Sequence, residues 1–149
     1  IRTIARAVPL CYAYGLNLCL FNFPLDDARD LATIVERESC INNGSMYIKR
    51  LLSKGQLFIK KTPRFPISKD IGKIIVTTSK PSIKKQITIN RLKRNKTPYC
   101  VIMGLGKRGL PKRILELSDH HLEITGKKVS LETCTVMGIL ALILSSKRI

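Results

Sequence analysis

Tyr99-Cys100-Val101-Ile102-Met103-Gly104-Leu105-Gly106-Lys107-Arg108-Gly109-Leu110-Pro111 decides the fold: an apolar run breaks into closely spaced glycines just before a helical pattern. Ile124-Thr125-Gly126-Lys127-Lys128-Val129-Ser130-Leu131-Glu132-Thr133 repeats the form, again after an apolar run and again opening a helix. Parallel α/β sheets bind ligands beyond the C-terminal ends of their strands, so two consecutive strand-to-helix turns made with small residues predict one cofactor held between them.

Working outward, Lys73 to Thr78 carries the β-branched run Ile74-Ile75-Val76-Thr77-Thr78 and stops at Ser79-Lys80-Pro81. That pattern predicts a buried parallel strand, with Thr77 and Thr78 at a third ligand-lining turn. A short helix is expected after Thr88, strands at Tyr99–Met103 and His121–Ile124, and helices at Leu110–Ser118 and Ser130–Ser146. Upstream, Ile1 to Tyr14 reads as a helix disturbed by Pro9 and closed by Gly15, and Leu16 to Phe23 as a strand stopped by Pro24. Asp26 or Asp27 caps a helix running to about Glu38; a helix from Met46 to Ser53, a brief strand from Gln56 to Ile59 and a loop at Thr62-Pro63-Arg64-Phe65-Pro66 follow. The alternation predicts a single α/β domain over 1–149, a mostly parallel sheet flanked by helices. Ile1 already falls in the helical pattern, so an initial strand is expected to precede it.

The 149 residues carry a formal net charge of +17. A surplus of that size favours a polyanionic partner. Asp26, Asp27, Asp30, Glu36 and Glu38 crowd into one stretch, whereas from Ser39 to Leu115 the only acid is Asp70. Lys60, Lys61, Arg64, Lys84 and Lys85 are the cations expected to meet phosphates there, and Tyr12, Tyr14, Tyr47, Phe58 and Phe65 offer faces for unpaired bases or for core packing. Cys11, Cys19, Cys40, Cys100 and Cys134 lie mostly in apolar sequence without metal-like spacing, which suits thiols in a reducing cytoplasm and predicts no metal. The longest apolar run, Val136 to Leu144, falls short of the roughly 20 residues that cross a bilayer. Its near-continuous apolarity predicts a helix buried on all sides or in a subunit interface, and no membrane partner. Alternation along a strand sends His120 and His121 to opposite faces, which favours a structural role for them.

Gly104-Leu105-Gly106-Lys107-Arg108-Gly109 is a literal GxGxxG, and Glu123 follows on the next strand, so a nicotinamide-cofactor protein is one reading. Too little chain follows to complete a dinucleotide fold, and Pro111 stands where the helix should open toward phosphate. No Gly-Lys-Ser or Gly-Lys-Thr closes a P-loop. A plainer reading makes both loops tight turns, glycine being the residue that reaches positive φ without steric cost.

From Lys73 to Ile149 the chain resembles the SPOUT class of S-adenosylmethionine-dependent RNA methyltransferases, and within it small archaeal members. In that class a G-x-x-x-x-G-L loop and an I-x-x-G-x-x-x-S-L-N loop form a deep trefoil knot around the cofactor; Gly104, Gly109, Leu110, Gly126, Ser130 and Leu131 match those positions, and Ile124 corresponds to the isoleucine, one residue nearer the glycine. Gly106 stands where ribose methyltransferases of the class usually carry glutamate, and Glu132 where they carry asparagine. The resemblance implies a C-terminal knotted half over about 73–149. It implies S-adenosylmethionine held by Thr77, Thr78, Gly104, Leu105, Gly106, Gly109, Leu110, Ile124, Gly126, Ser130, Leu131 and Thr133. It also implies Arg6, or Arg2, assisting at the reactive atom, with the other free to contact RNA, and Glu132 as base or helix-dipole partner. The expected protein is a cytoplasmic homodimer, joined through the apolar C-terminal helix, that methylates tRNA or rRNA. The rival from a different class is a non-catalytic RNA-binding or ribosome-associated module that keeps the knot, favoured by Gly106 and Glu132.

Overall fold

The structure is a computed structural model that describes residues 1–61 and 71–146. The loop expected at residues 62–66, with Arg64 and Phe65, lies outside the described residues. The chain forms two compact units, Ile1–Pro63 with Met137–Ile149, and Arg64–Val136.

In the first unit, α1 (Arg2–Tyr14), β1 (Leu18–Phe21), α2 (Ala28–Glu38), α3 (Gly44–Ser53) and β2 (Leu57–Lys60) follow in order. α1 buries Ile4, Ala5, Ala7, Val8 and Cys11, a stripe at helical spacing. That burial carries the helix through Pro9, which lies inside it instead of ending it. Asp27 is the N-cap of α2, its Oδ1 accepting the Arg29 amide at 2.8 Å. Leu31 and Val35 of α2 and Ile48 and Leu51 of α3 complete a core with Val8 in which each is fully buried. β1 and β2 pair in parallel, Leu18 opposite Leu57. Burial raises the Cys11 thiol to about 11, so it packs as a small apolar group and does not act as a nucleophile.

The second unit contains β3 (Lys73–Thr77), β4 (Gln86–Ile87), α4 (Ile89–Arg94), β5 (Tyr99–Ile102), α5 (Lys112–Leu117) and β6 (His120–Leu122). Its sheet runs β4-β6-β3-β5, and each of these pairings is parallel. Ile74, Ile75 and Val76 are buried in succession, so both faces of β3 are covered, as the β-branched run predicts. Asp119 fixes the entry to β6: its amide donates to Ile74 O at 2.9 Å and its Oδ2 accepts the Ile74 amide at 2.7 Å. α6 (Thr133–Ser145) follows.

Three expectations shift. The six described strands divide between a two-stranded and a four-stranded sheet, because β1 and β2 pair with each other. β6 ends at Leu122, two residues before the expected Ile124, and α6 opens at Thr133, three residues after the expected Ser130. Between these two ends the Glu123 carboxylate and the Thr125 hydroxyl accept the amides of Thr125, Gly126, Lys127 and Val129, which holds that stretch as a turn.

Candidate functional site

Because β6, β3 and β5 are neighbours and parallel, the turns that follow them emerge at one edge of the second unit's sheet. A cavity of about 70 Å³ opens there, lined by Thr77, Thr78 and Ser79 after β3, Leu122 to Thr125 at the end of β6, Val129 to Leu131, and Val136. It combines apolar walls with five hydroxyl side chains and one carboxylate. Sites for drug-sized ligands usually enclose about 300 Å³ or more, so a nucleoside would lie partly on the loops or displace them.

The second glycine loop is held by side chains. Glu123 Oε1 accepts the Thr125 amide at 3.0 Å and the Thr125 hydroxyl at 2.6 Å, and Glu123 Oε2 accepts the Gly126 amide at 2.6 Å. Thr125 Oγ1 then accepts the Lys127 and Val129 amides at 3.1 and 3.2 Å. Desolvation at the cavity wall raises the Glu123 carboxyl; hydrogen bonds from the Thr125 hydroxyl and from the Thr125, Gly126 and Lys128 amides outweigh it and leave the pKa below its ordinary value. Gly126 takes φ +69 and Lys128 φ 58, the left-handed backbone that turns the chain.

The first glycine loop closes on its own backbone. Gly109 N donates to Gly106 O at 3.0 Å, and a Cβ on Gly104 would stand 2.8 Å from the Gly109 carbonyl carbon. Thr133 Oγ1 donates to Gly104 O at 2.5 Å, tying the start of α6 to this loop.

Of the residues predicted to hold a cofactor, the cavity therefore gathers Thr77, Thr78, Ile124, Ser130 and Leu131. Gly126 belongs to the same loop, with its amide engaged by Glu123, and Thr133 reaches the first loop. Gly104, Leu105, Gly106, Gly109 and Leu110 are not among the residues that line it. Glu132 is exposed, and its carbonyl accepts the Val136 amide at 3.0 Å. Arg6 is exposed on α1, in the first unit. Sequence reasoning missed Glu123 and Thr125 as builders of the loop. The available signal was an acid two residues before a Thr-Gly turn, where side chains capture turn amides.

The predicted phosphate contacts are unequal. Arg2 pairs with Glu38 at 3.5 Å, and Lys61 with Asp26. Lys60 and Lys84 are exposed. Lys85 turns inward: its Nζ donates to the Glu116 carbonyl and, at 2.8 Å, to Ser118 O, holding the last carbonyls of α5. Tyr12 and Tyr47 lie 5.1 Å apart by ring centroid, and Arg50 donates to the Tyr12 hydroxyl at 2.8 Å, so these rings join α1 to α3. His121 is buried and structural: Nδ1 accepts the Ser82 amide at 3.0 Å, which puts the proton on Nε2, 2.8 Å from Leu115 O. Among the described residues there is no group of three or more His, Cys, Asp or Glu placed to hold a metal ion, and no helix long and apolar enough to cross a membrane.

This parallel α/β architecture has a counterpart among solved structures. TrmJ from Z. mobilis ZM4 matches it with a TM-score of 0.65 over 97% of this chain at 15% sequence identity, a likeness of fold, and the chain spans 64% of the TrmJ chain's length. The chain belongs to the family described as proteins of unknown function, DUF531, which it matches over residues 1–145. The uncharacterized protein MJ0224 of Methanocaldococcus jannaschii is 41% identical over 141 residues, 92% of this chain and 78% of the relative.

Proposed function

We propose that this chain is a SPOUT-class methyltransferase that takes S-adenosylmethionine at the edge cavity of its second unit and methylates RNA, tRNA or rRNA. The observation that carries the reading is the cavity's position: hydroxyls of Thr77, Thr78 and Ser79 share it with Leu122, Ile124, Leu131 and Val136 at the C-terminal edge of a parallel sheet. The residues suit the ligand's chemistry. Apolar walls fit an adenine face, and the hydroxyls and backbone carbonyls of these turns fit ribose and amino-acid groups. The net charge of +17 supports a polyanionic acceptor.

When bound, S-adenosylmethionine supplies a methyl group already activated by its sulfonium. The chain's own task is to hold donor and acceptor in line and, for an oxygen acceptor, to remove a proton. Glu132, exposed where α6 begins, is the proposed base, and Arg6 the proposed cation near the reactive atom.

The trefoil knot belongs to the same proposal. β6, formed last, inserts between β3 and β4, and Thr133, soon after the second loop, bonds Gly104 of the first, an arrangement that supports late passage of the C-terminal segment. A cytoplasmic homodimer through α6 is likewise proposed, supported by Leu142, which is 59% exposed on that apolar helix.

Calorimetric titration with S-adenosylmethionine, with NAD as comparison ligand, tests the reading. Micromolar binding to S-adenosylmethionine alone, about −8 kcal/mol, is expected. Leu131→Arg, at an exposed part of the cavity wall, is expected to weaken it at least about tenfold, or 1.4 kcal/mol. Absence of binding in the parent chain overturns the enzymatic reading, and binding untouched by Leu131→Arg overturns the cavity. The cavity's small volume and Glu123's hold on the loop amides favour a second reading, a non-catalytic RNA-binding or ribosome-associated module. That module would bind RNA in a salt-sensitive manner without S-adenosylmethionine.

A further inference from the structure

We infer that a single-stranded stretch of RNA lies along the C-terminal edge of the second unit's sheet, its phosphates on cations of three neighbouring turns. The inference rests on the RNA-acceptor reading above and places the acceptor on residues other than those the sequence suggested.

The turns succeed one another at one strand spacing each, about 4.8 Å, because β6, β3 and β5 are adjacent and parallel. The turn after β6 carries Lys127 and Lys128, the turn after β3 carries Lys80, and the turn after β5 carries Lys107 and Arg108; all five are exposed. None of the five forms an ion pair with another described residue. Their neighbours are committed elsewhere: Lys112 pairs with Glu116 at 3.7 Å, and Lys85 is turned onto α5 carbonyls. The acids at this edge are Glu123, whose oxygens are taken by the loop, and Glu132, which is exposed and offsets one cation.

Apolar side chains stand among the cations. Leu105 is 61% exposed, Val129 51% and Leu131 38%. Leu105 stands two residues before Lys107 in the chain, and Val129 adjoins Lys128. A duplex offers its phosphates and hides the faces of its bases, so exposed apolar groups between cations would gain nothing from it. A single strand offers both, and proteins that track single strands combine a cationic path with apolar or aromatic rests for the bases. The cavity opens at the same edge, so a strand on this path passes the proposed methyl donor.

The test is anisotropy titration of a labelled, mixed-sequence single-stranded RNA of about twelve nucleotides, from about 50 to about 200 mM salt. The full chain is compared with K107Q/R108Q and with K127Q/K128N, asparagine being chosen at 128 because φ is 58 there. R91Q/R94Q, from exposed cations of α4, is the control. Each loop pair is expected to flatten the slope of log affinity against log salt by about 1.4, two phosphates at about 0.7 each, and the control to keep the parent slope. Parent slopes in both loop pairs, with folding confirmed by circular dichroism, overturn the path. Tighter binding of a matched duplex than of the single strand overturns the single-strand assignment. Titration of the parent with S-adenosylmethionine separates the failures: binding with unaltered slopes removes the path and keeps the enzyme, whereas flattened slopes without binding remove the enzyme and keep the path.

Discussion

The two glycine loops look alike in sequence and are built by opposite means. The first folds on its own backbone, with Gly109 bonding Gly106 and Gly104 pressed against Gly109. The second is organised by Glu123 and Thr125, which between them accept the amides of Thr125, Gly126, Lys127 and Val129. Glycine therefore marks where the chain must turn or come close to itself, while polar side chains mark where a loop is held open beside a cavity. Only the second loop supplies lining residues to the cavity described above.

The largest effect should fall on the first loop. Gly104→Ala places a Cβ 2.8 Å from Gly109 C and 3.0 Å from Leu110 N, both backbone atoms that cannot rotate away. A cost of about 2–3 kcal/mol is expected, in the range of overpacked sites, read from urea midpoints at constant m-value. A cost below about 0.5 kcal/mol, within the range of ordinary surface changes, would show that the loop is not closed in this way.

Next comes the second loop's anchor. Glu123→Gln turns one acceptor into an NH2 group that cannot accept the Gly126 amide, at a cost of about 1–2 kcal/mol. The pH dependence has a defined sign. The folded-state pKa of Glu123 is lowered, so its contribution is present above the unfolded pKa and is lost as pH falls through the lowered folded value. The difference in stability between parent and Glu123→Gln should therefore shrink on acidification below the ordinary glutamate pKa of about 4.3. A difference constant from neutral pH to below that range would dissociate Glu123 from the loop.

The parts of the fold that were legible in the sequence are those fixed by local pattern. The run Ile74-Ile75-Val76 announced a strand covered on both faces, and Asp27 announced a helix start, because burial and capping act within a few residues. The end of β6 was not legible: the strand stops at Leu122, and the Glu123 carboxylate that follows it accepts the Thr125 and Gly126 amides of the turn, a local side-chain bond that no apolar pattern announces. Nor were the fates of the lysines. Lys85 meets α5 carbonyls some thirty positions away and Lys61 meets Asp26, while Lys107, Lys127 and Lys128 remain exposed, and nothing in a run of basic residues separates these outcomes. The cavity was legible in its hydroxyl turn, Thr77 and Thr78, and in the Ser130-Leu131 pair; the role of Glu123 needed the geometry.

A smaller effect should distinguish conformation from crowding. At Gly126 a Cβ would meet nothing within 4 Å, but φ is +69, so Gly126→Ala should lose about 1 kcal/mol through backbone strain alone. Asparagine, which tolerates the left-handed region, should recover part of that loss. Equal destabilisation by alanine and asparagine would point to a contact instead of a conformation.

The smallest effect is expected at Gly106, the middle glycine of the GxGxxG and the position where the resembled class often carries glutamate. A Cβ there meets nothing within 4 Å, and Gly106 is not among the residues with positive φ. Neither crowding nor backbone strain requires glycine, and alanine would lower the entropy of the unfolded chain. Gly106→Ala should thus be neutral or stabilising by up to about 1 kcal/mol, and it should leave S-adenosylmethionine binding as in the parent, because the loop contributes no residue to the cavity lining. Loss of ligand binding without loss of stability would bring the first loop into the site and reverse the contrast between the loops, because glycine at 106 would then be serving close approach of a ligand to the backbone.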